Sequence, residues 1–291
     1  MSERPDFNKN PTELRSLKSI LLSAITVICA VLACIPLFSV LYMLVVRGGR
    51  RLSLEVFYTL PPTAFDPGGG FGNAILGTLI MVGIASLIAV PFGILAAIFL
   101  AEFGKDTRIA GIARFCAKTM TGIPSILAGV FAYTAVVLLT GGYSAIAGGI
   151  ALSVLMIPTV MLTAEESIKM VPRIMREAAV GMGCTRTQVM WKVMLPVAMP
   201  GMITGVMLAV ARASGETAPL LFTALFSDYW IFQGGMSDIM EPTASLAVLI
   251  YNFSGMPFEN QIELAWAASL VLVLIVFIIN IFSRMIGRIK K

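Results

Sequence analysis

The chain has few side chains that could act in catalysis or bind a metal, and histidine is absent from its 291 residues. Without histidine the chain lacks the commonest general base, proton shuttle and metal ligand. The four cysteines form no CxxC pair, so neither a zinc site nor a disulfide framework is indicated. No nucleotide-binding P-loop occurs, and the Gly-rich stretch 67–72 lacks the GxGxxG spacing. We therefore expect no catalytic residues, no metal site and no cofactor bound by this chain.

One charged pair interrupts an apolar stretch. Arg212 and Glu216 are four residues apart, the spacing at which two side chains share a helix face and pair. The span that carries them is expected to start near Val193 and to continue through Arg212 toward Leu221. A charge at mid-bilayer costs roughly 2.5–3.5 kcal/mol on insertion scales, so such residues are expected to face protein or a watery path. A guanidinium also matches the oxygens of an oxyanion in a bidentate fork.

Two interpretations of this pair stay open. In the first, Arg212 and Glu216 line a translocation path for an anionic substrate. In the second, they form a structural ion pair near the outer interface, with Arg212 reaching toward water. Gly201 and Gly205, spaced as GxxxG on the same predicted helix, indicate close helix packing.

The elements that must position these residues are membrane helices. The chain is 58% hydrophobic and 13% charged, with a mean hydropathy of +0.90. A soluble domain has roughly 45–50% apolar and about 25% charged residues, so a water-soluble globule is excluded. Crossing a bilayer takes roughly 20 helical residues. Five charge-free runs are long enough, and the third can hold two spans with a turn at 141–143: 19–46, 67–101, 119–164, 193–211 and 264–283. The prediction is an all-α integral membrane protein with six transmembrane helices.

Charge distribution predicts the orientation of these helices. Seventeen Lys and Arg residues fall on one side, and three fall in the first loop on the other side. Because positive charge stays in the cytoplasm, we expect a multi-pass membrane protein with both termini inside. The predicted division is a cytoplasmic tail 1–18, a six-helix transmembrane domain 19–283 and a cytoplasmic tail 284–291. Within the domain lie a cytoplasmic loop 165–196 and an outer loop 213–263.

The cytoplasmic loop carries its own helix signals. Pro172 suits the first turn of a helix, and Gly183 suits the left-handed position just past a helix end. Thr185 and Gln188 have the spacing of a capping box, which starts a second short helix. That second helix is expected to stop at Pro196. The sequence thus predicts a helix–turn–helix at the cytoplasmic surface.

The same loop contains a spaced motif. Glu177-Ala178-Ala179, then Gly183 after three residues, then Val193-x-Leu195-Pro196 after nine, resembles the EAA signature of ABC importer permeases, with Val where the signature prefers Ile. The resemblance implies the type I ABC importer permease architecture, in which this loop is a coupling helix that docks on an ATPase subunit. The implied coupling residues are Arg173, Arg176, Glu177, Ala178, Ala179, Gly183, Leu195 and Pro196. The alternative is an ordinary amphipathic connector.

Three further segments narrow the resemblance. Residues 72–78, 122–125 and 211–221 look like those of the phosphate-type permeases of ABC importers. The resemblance implies a homologous PstC-like permease, two PstB-like ATPase subunits that carry ATP and Mg, and an extracytoplasmic PstS-like phosphate-binding protein. It implies contact with membrane lipid and with no nucleic acid. It also implies a location in the bacterial inner membrane. If Arg212 and Glu216 line a translocation path, we expect that path at the interface with the second permease.

Other functions remain open. An ABC permease for another oxyanion, such as sulfate or molybdate, would share the EAA loop. A secondary transporter would need ion-coupling groups, and a membrane-embedded enzyme would need buried acids, His or Cys in its spans. The aromatic and acidic residues of the outer loop are either interfacial anchors or a docking surface for the binding protein.

Overall fold

The computed structural model describes residues 14–105, 107–232 and 236–289, which form helices joined by turns and no strands. Most of the predicted N-terminal tail 1–18 lies outside the described residues, as do the last two residues of the C-terminal tail 284–291.

The first half of the chain forms four helices, three of which continue through π-helical turns. They are α1 (Leu14–Met43, continued by Leu44–Gly48 and Gly49–Arg51), α2 (Gly72–Ile98, continued by Phe99–Phe103), α3 (Arg108–Gly122) and α4 (Ser125–Ala132, continued by Tyr133–Val137 and Leu138–Thr140). A short 3₁₀-helix, Leu54–Phe57, lies between α1 and α2.

The second half adds seven helices. They are α5 (Ala145–Lys169), α6 (Arg173–Gly181), α7 (Arg186–Val189), α8 (Leu195–Ser214), α9 (Ala218–Thr223), α10 (Leu246–Ser254) and α11 (Glu259–Ile289). A π-helical turn, Met190–Met194, joins α7 to α8, and a 3₁₀-helix, Met236–Met240, precedes α10.

Five continuous helical segments within the described ranges are long and apolar enough to cross a membrane. They are Lys18–Arg51, Gly72–Phe103, Ala145–Lys169, Arg186–Ser214 and Glu259–Ser283. The pair α3 and α4 passes the same test together but is bent by 107°, so it adds a sixth span if the two helices are one broken span. The predicted all-α membrane fold is confirmed, with five or six spans, and the bent pair lies where the third span was predicted.

The bend lies at a proline. Ile123 is extended, with ψ 139°, because a residue before proline is pushed out of the helical region. Pro124 then starts α4 without a backbone donor. The bent pair begins at Arg108, eleven residues before the charge-free run 119–164 that was predicted to hold the third and fourth spans.

Helix α5 lies at the centre of the bundle. Its central 18-residue window is 67% buried, against 0% for the same window of α1. α5 packs against α2 on one side and α8 on the other. Met81 of α2 and Leu152 of α5 are fully buried in one apolar cluster, and Ala209 of α8 is 1% exposed there. The bundle core is therefore built from the second, fourth and fifth spans.

Helices α5 and α8 approach closely at two glycines. A Cβ built on Gly205 would lie 2.1 Å from Thr163 Oγ1, and one on Gly201 would lie 2.6 Å from Ser167 Oγ. Real side chains cannot occupy these distances, so both positions need glycine. The close packing predicted from the GxxxG spacing is confirmed.

Helix α1 stands apart from the other described helices over most of its length, and residues 18–43 are exposed on all faces. Its C-terminal end does pack: a Cβ on Gly48 would lie 2.7 Å from the carbonyl oxygen of Trp266, and the Arg47 guanidinium carbon lies 5.4 Å from the centroid of the Trp266 ring. The apolar surface of α1 is thus available to lipid or to another chain.

Much of the predicted outer loop 213–263 folds back into the bundle. Leu220 of α9 is 2% exposed, and Leu246 and Leu249 of α10 are fully buried. The backbone N–H of Leu246 donates to Thr78 Oγ1 at 2.9 Å, which ties α10 to α2. Apolar residues of the predicted loop are therefore part of the core.

Candidate functional site

The loop 165–196 forms the predicted helix–turn–helix. Helix α6 begins at Arg173, with Pro172 in the capping position (ψ 134°) instead of the first turn. Gly183 has φ +84°, and the next residue, Cys184, donates from its N–H to the carbonyl of Ala179 at 3.1 Å. A left-handed glycine just past a helix end satisfies the last carbonyls in this way. The turn after α6 therefore depends on Gly183.

Helix α7 starts with the predicted capping box. Thr185 N donates to Gln188 Oε1 at 2.9 Å, and Gln188 N donates to Thr185 Oγ1 at 3.3 Å. The predicted stop at Pro196 was wrong, because the helix continues through Met190–Met194 into α8. Pro196 lies in the first turn of α8, where its missing donor costs nothing.

The fifth span is therefore longer at one end and shorter at the other than the sequence predicted. It starts at Arg186, not near Val193, and it ends at Ser214 instead of continuing toward Leu221. Gly215 and Glu216 separate it from the short helix α9.

Helix α6 presents most of its surface outward. Ile174 is 78% exposed and Val180 54%, and Met182 just beyond the helix is 79% exposed. Among the predicted coupling residues, five are exposed (Arg173, Glu177, Ala178, Gly183, Pro196), two are buried (Ala179, Leu195), and Arg176 is intermediate. This surface combines apolar side chains with charges of both signs, as a protein-docking surface does.

Arg176 pairs within the chain. Its Nη2 donates to Glu102 Oε1, at the end of the π-helical turn after α2. The Glu102 side chain is 3% exposed. Arg176 was predicted as one of a group of charges at the docking rim. The structure gives it an internal partner as well.

A second buried carboxylate lies at the same end of the bundle. Arg114 of α3 donates from Nε to Glu165 Oε1 at 2.7 Å and from Nη2 to the carbonyl of Leu100 at 2.7 Å. Lys169 Nζ lies 2.9 Å from the same Glu165 oxygen. Glu165 is 1% exposed, so these cations compensate a buried anion.

Glu102 and Glu165 were missed at the sequence level, although a signal was present. Each is the first charged residue after a long charge-free run, 67–101 and 119–164 respectively. Such a position is consistent with a solvated helix end. Only the packing shows that both carboxylates are buried there.

Arg212 and Glu216 pair as predicted, with Arg212 Nε 3.2 Å from Glu216 Oε1. The predicted shared helix face was wrong, because Glu216 follows the end of α8. The Arg212 side chain is 42% exposed and that of Glu216 16% exposed. A cation in the last turn of a helix also interacts favourably with the helix dipole.

A cavity of about 490 Å³ lies between the start of α2 and residues of the predicted outer loop 213–263. Aromatic and acidic residues line it, among them Asp228, Tyr229, Trp230 and Glu241. Partial burial raises the pKa of Asp228 from its ordinary value, because desolvation disfavours the carboxylate. Within the described ranges, no group of three or more Cys, Asp or Glu residues has a geometry that could hold a metal ion.

Comparisons with known proteins match this arrangement. The family model described as "Binding-protein-dependent transport system inner membrane component" matches residues 89–289, which include α5, the loop with α6 and the fifth span. The chain belongs to this family. It is therefore a membrane permease subunit of the binding-protein-dependent transport type.

The permease has curated relatives over nearly its full length. It is 38% identical to the phosphate transport system permease protein PstA of Pasteurella multocida over 93% of this chain and 94% of the relative. It is 39% identical to PstA of Haemophilus influenzae over 87% of each chain. A probable PstA of the archaeon Methanocaldococcus jannaschii is 34% identical over 84% of each.

Solved structures of low sequence identity share the fold. A chain of the bacterial alginate ABC transporter, solved with a periplasmic protein bound to an alginate pentasaccharide, aligns with a TM-score of 0.66 at 15% identity. The alignment covers 97% of the permease and 99% of that chain. A chain of the MetNI methionine ABC transporter in an inward-facing conformation aligns with a TM-score of 0.59 at 20% identity, over 75% and 94%. These alignments support the type I importer architecture.

Proposed function

We propose that this chain is a transmembrane permease subunit of an ATP-driven, binding-protein-dependent importer of inorganic phosphate. The observation that carries the proposal is the exposed coupling helix α6 with its EAA motif, in a chain 38% identical to a phosphate permease over 93% of its length. The charged pair Arg212–Glu216, at the outer end of the fifth span, fits an anionic substrate.

In the proposed assembly, the permease pairs with a homologous PstC-like permease to enclose the translocation path. Two PstB-like ATPase subunits bind the cytoplasmic loops, and a PstS-like phosphate-binding protein docks on the outer face. ATP and Mg bind to the ATPase subunits, which hydrolyse the nucleotide. The exposed apolar faces of α1 and α6 support this assignment, because large exposed apolar surfaces mark contacts with protein or lipid.

The proposed orientation places both termini and α6 in the cytoplasm of a bacterium, with the chain in the inner membrane. The predicted cytoplasmic segments carry most of the Lys and Arg residues, as the positive-inside rule requires. In this orientation the Arg212–Glu216 pair lies at the outer end of its span. Glu102, which pairs with Arg176, and Glu165, which pairs with Arg114, lie at the inner ends of their spans.

In the proposed mechanism this chain transmits a mechanical displacement and transfers no electrons or protons. ATP binding closes the ATPase subunits and displaces α6 against the membrane bundle. The displacement swings the spans between outward and inward openings, so phosphate passes at the interface of the two permeases. Arg212 holds the anion transiently, and Glu216 keeps Arg212 oriented and prevents it from trapping phosphate.

Reconstitution tests the proposal. The permease is inserted into liposomes with PstC-like, PstB-like and PstS-like partners from the same cell, and ATP-driven uptake of phosphate and of sulfate is measured. Phosphate uptake that needs ATP and the binding protein is the expected result. Uptake of sulfate or molybdate instead would replace the substrate and keep the permease role. Uptake that needs no ATPase subunit would overturn the proposal in favour of a secondary transporter.

A further inference from the structure

The coupling helix α6 faces the rest of the chain with two side chains. Ile174, Met175 and Val180 are 78, 40 and 54% exposed, whereas Ala179 is 1% exposed. Arg176 lies three residues before Ala179, so the two share one helix face. The inner face of α6 thus carries a buried apolar side chain, Ala179, and a charged side chain, Arg176, in addition to the packing of α6 against α7.

The charged contact leads to the end of the second span. Arg176 Nη2 donates to Glu102 Oε1, in the π-helical continuation of α2. Ala179 belongs to an apolar cluster that includes Val189 and Met190 of the following turns as well as Ala97 and Ala101 of the second span. The Arg176–Glu102 ion pair therefore joins the coupling helix directly to the second span.

The Glu102 carboxylate depends on Arg176. Its side chain is 3% exposed, and its second oxygen, Oε2, is buried and accepts no hydrogen bond from the residues that the structure describes. A buried carboxylate is costly unless a cation compensates it, and removing one partner of such a pair leaves an uncompensated charge. Moving α6 away from the second span would therefore leave the charge of Glu102 uncompensated.

We propose that Glu102 is a positioning residue whose pairing with Arg176 makes the second span follow the coupling helix when an ATPase subunit displaces it. This inference rests on the proposed function and adds the contact through which the motion enters the bundle. Arg176 thereby acts toward the interior of its own chain, and the exposed Glu177 beside it is left to contact the ATPase.

Glu165 provides a matched comparison. It is equally buried, with a side chain 2% exposed, and it pairs with Arg114 at 2.7 Å. Its partners Arg114 and Lys169 lie on α3 and α5, so breaking this pair removes a buried ion pair at the same end of the bundle without releasing α6.

The test uses the complete transporter in liposomes and measures phosphate transported per ATP hydrolysed, together with the thermal stability of the complex. We expect Glu102→Gln and Arg176→Gln each to lower transport per ATP by about five- to tenfold while the ATPase subunits stay bound. The reversed pair, Glu102→Arg with Arg176→Glu, is expected to restore it. Glu165→Gln is expected to lower stability and leave transport per ATP unchanged.

The neutral double variant, Glu102→Gln with Arg176→Gln, separates positioning from stability. It leaves no uncompensated charge, so its stability is expected to recover while transport per ATP stays low. Full recovery of transport in this variant would overturn the proposal, as would unchanged transport in both single variants. A wild-type complex that takes up no phosphate would overturn the proposed function. The positioning role alone fails when the wild type transports phosphate and the variants transport equally well.

Discussion

Arg212 Nε lies 3.2 Å from Glu216 Oε1 across the end of a helix, because α8 stops at Ser214 and the chain turns before α9. The pair therefore joins a membrane span to the non-helical segment that follows it. Its Arg212 side chain is 42% exposed on this chain, so the guanidinium keeps donors for a further anion.

Replacing Arg212 tests whether the pair lines the path. We expect Arg212→Ala to lower phosphate uptake by about 10- to 100-fold, the loss that a charged hydrogen bond worth about 1.5–3 kcal/mol would give. Arg212→Lys is expected to recover part of the uptake, because lysine keeps the charge and loses the bidentate fork. Uptake is measured in liposomes, with Arg108→Ala, an exposed cation at the start of α3, as the control. Normal uptake by an assembled Arg212→Ala complex would make the pair structural.

Gly183 tests the turn that follows the coupling helix. Its φ of +84° disfavours any side chain, so Gly183→Ala is expected to cost about 1–2 kcal/mol locally and to weaken co-purification of the ATPase. Gly181→Ala is the matched control, since Gly181 is exposed, helical and open to a Cβ. Equal recovery of the ATPase with both variants would show that the left-handed turn does not shape the docking surface.

Gly205 tests the packing of the central spans. A side chain there would overlap Thr163, so Gly205→Leu is expected to destabilise the protein by about 1–3 kcal/mol or to separate α8 from α5. Thermal unfolding in detergent measures the effect. Gly83→Leu on α2 serves as the control, because a Cβ there meets no atom within 4 Å. A Gly205→Leu protein as stable as Gly83→Leu would contradict the close approach.

Asp228 makes stability depend on pH. Its pKa is raised in the folded state, so the ionised form destabilises the fold, and this penalty is lost as the pH falls through the folded pKa toward the unfolded one. Asp228→Asn is therefore expected to raise the midpoint of thermal unfolding slightly at about pH 7 and to leave it unchanged near about pH 3, where both side chains are neutral. If the two proteins differed more in their unfolding midpoints at acidic pH than at neutral pH, that result would contradict a raised pKa of Asp228.

Local sequence signals predicted much of the helical structure of loop 165–196 and of the membrane spans. The capping pair Thr185 and Gln188 and the left-handed Gly183 lie where the sequence placed them, because each depends on residues within a few positions. The close packing at Gly201 and Gly205 was also indicated, since only small residues repeated at that spacing let two helices approach.

Helix ends at prolines were harder to predict. Helix α3 ends just before Pro124 and α4 begins after it. At Pro196, by contrast, the helix continues, although the sequence predicted that it would stop there. A proline lacks one donor in both cases. Whether the helix stops depends on the hydrogen bonds of the preceding turn, and the π-helical turn Met190–Met194 supplies the rearrangement before Pro196.

By itself, the sequence determined that the chain is a helical membrane protein with a helix–turn–helix between two spans, because hydropathy and short capping motifs act through neighbouring residues. Only the tertiary structure decided that Arg176 turns inward to Glu102 and that Glu165 is compensated by Arg114. These partners are 74 and 51 residues apart, and what brings them together is the packing of separate spans, which no local pattern records.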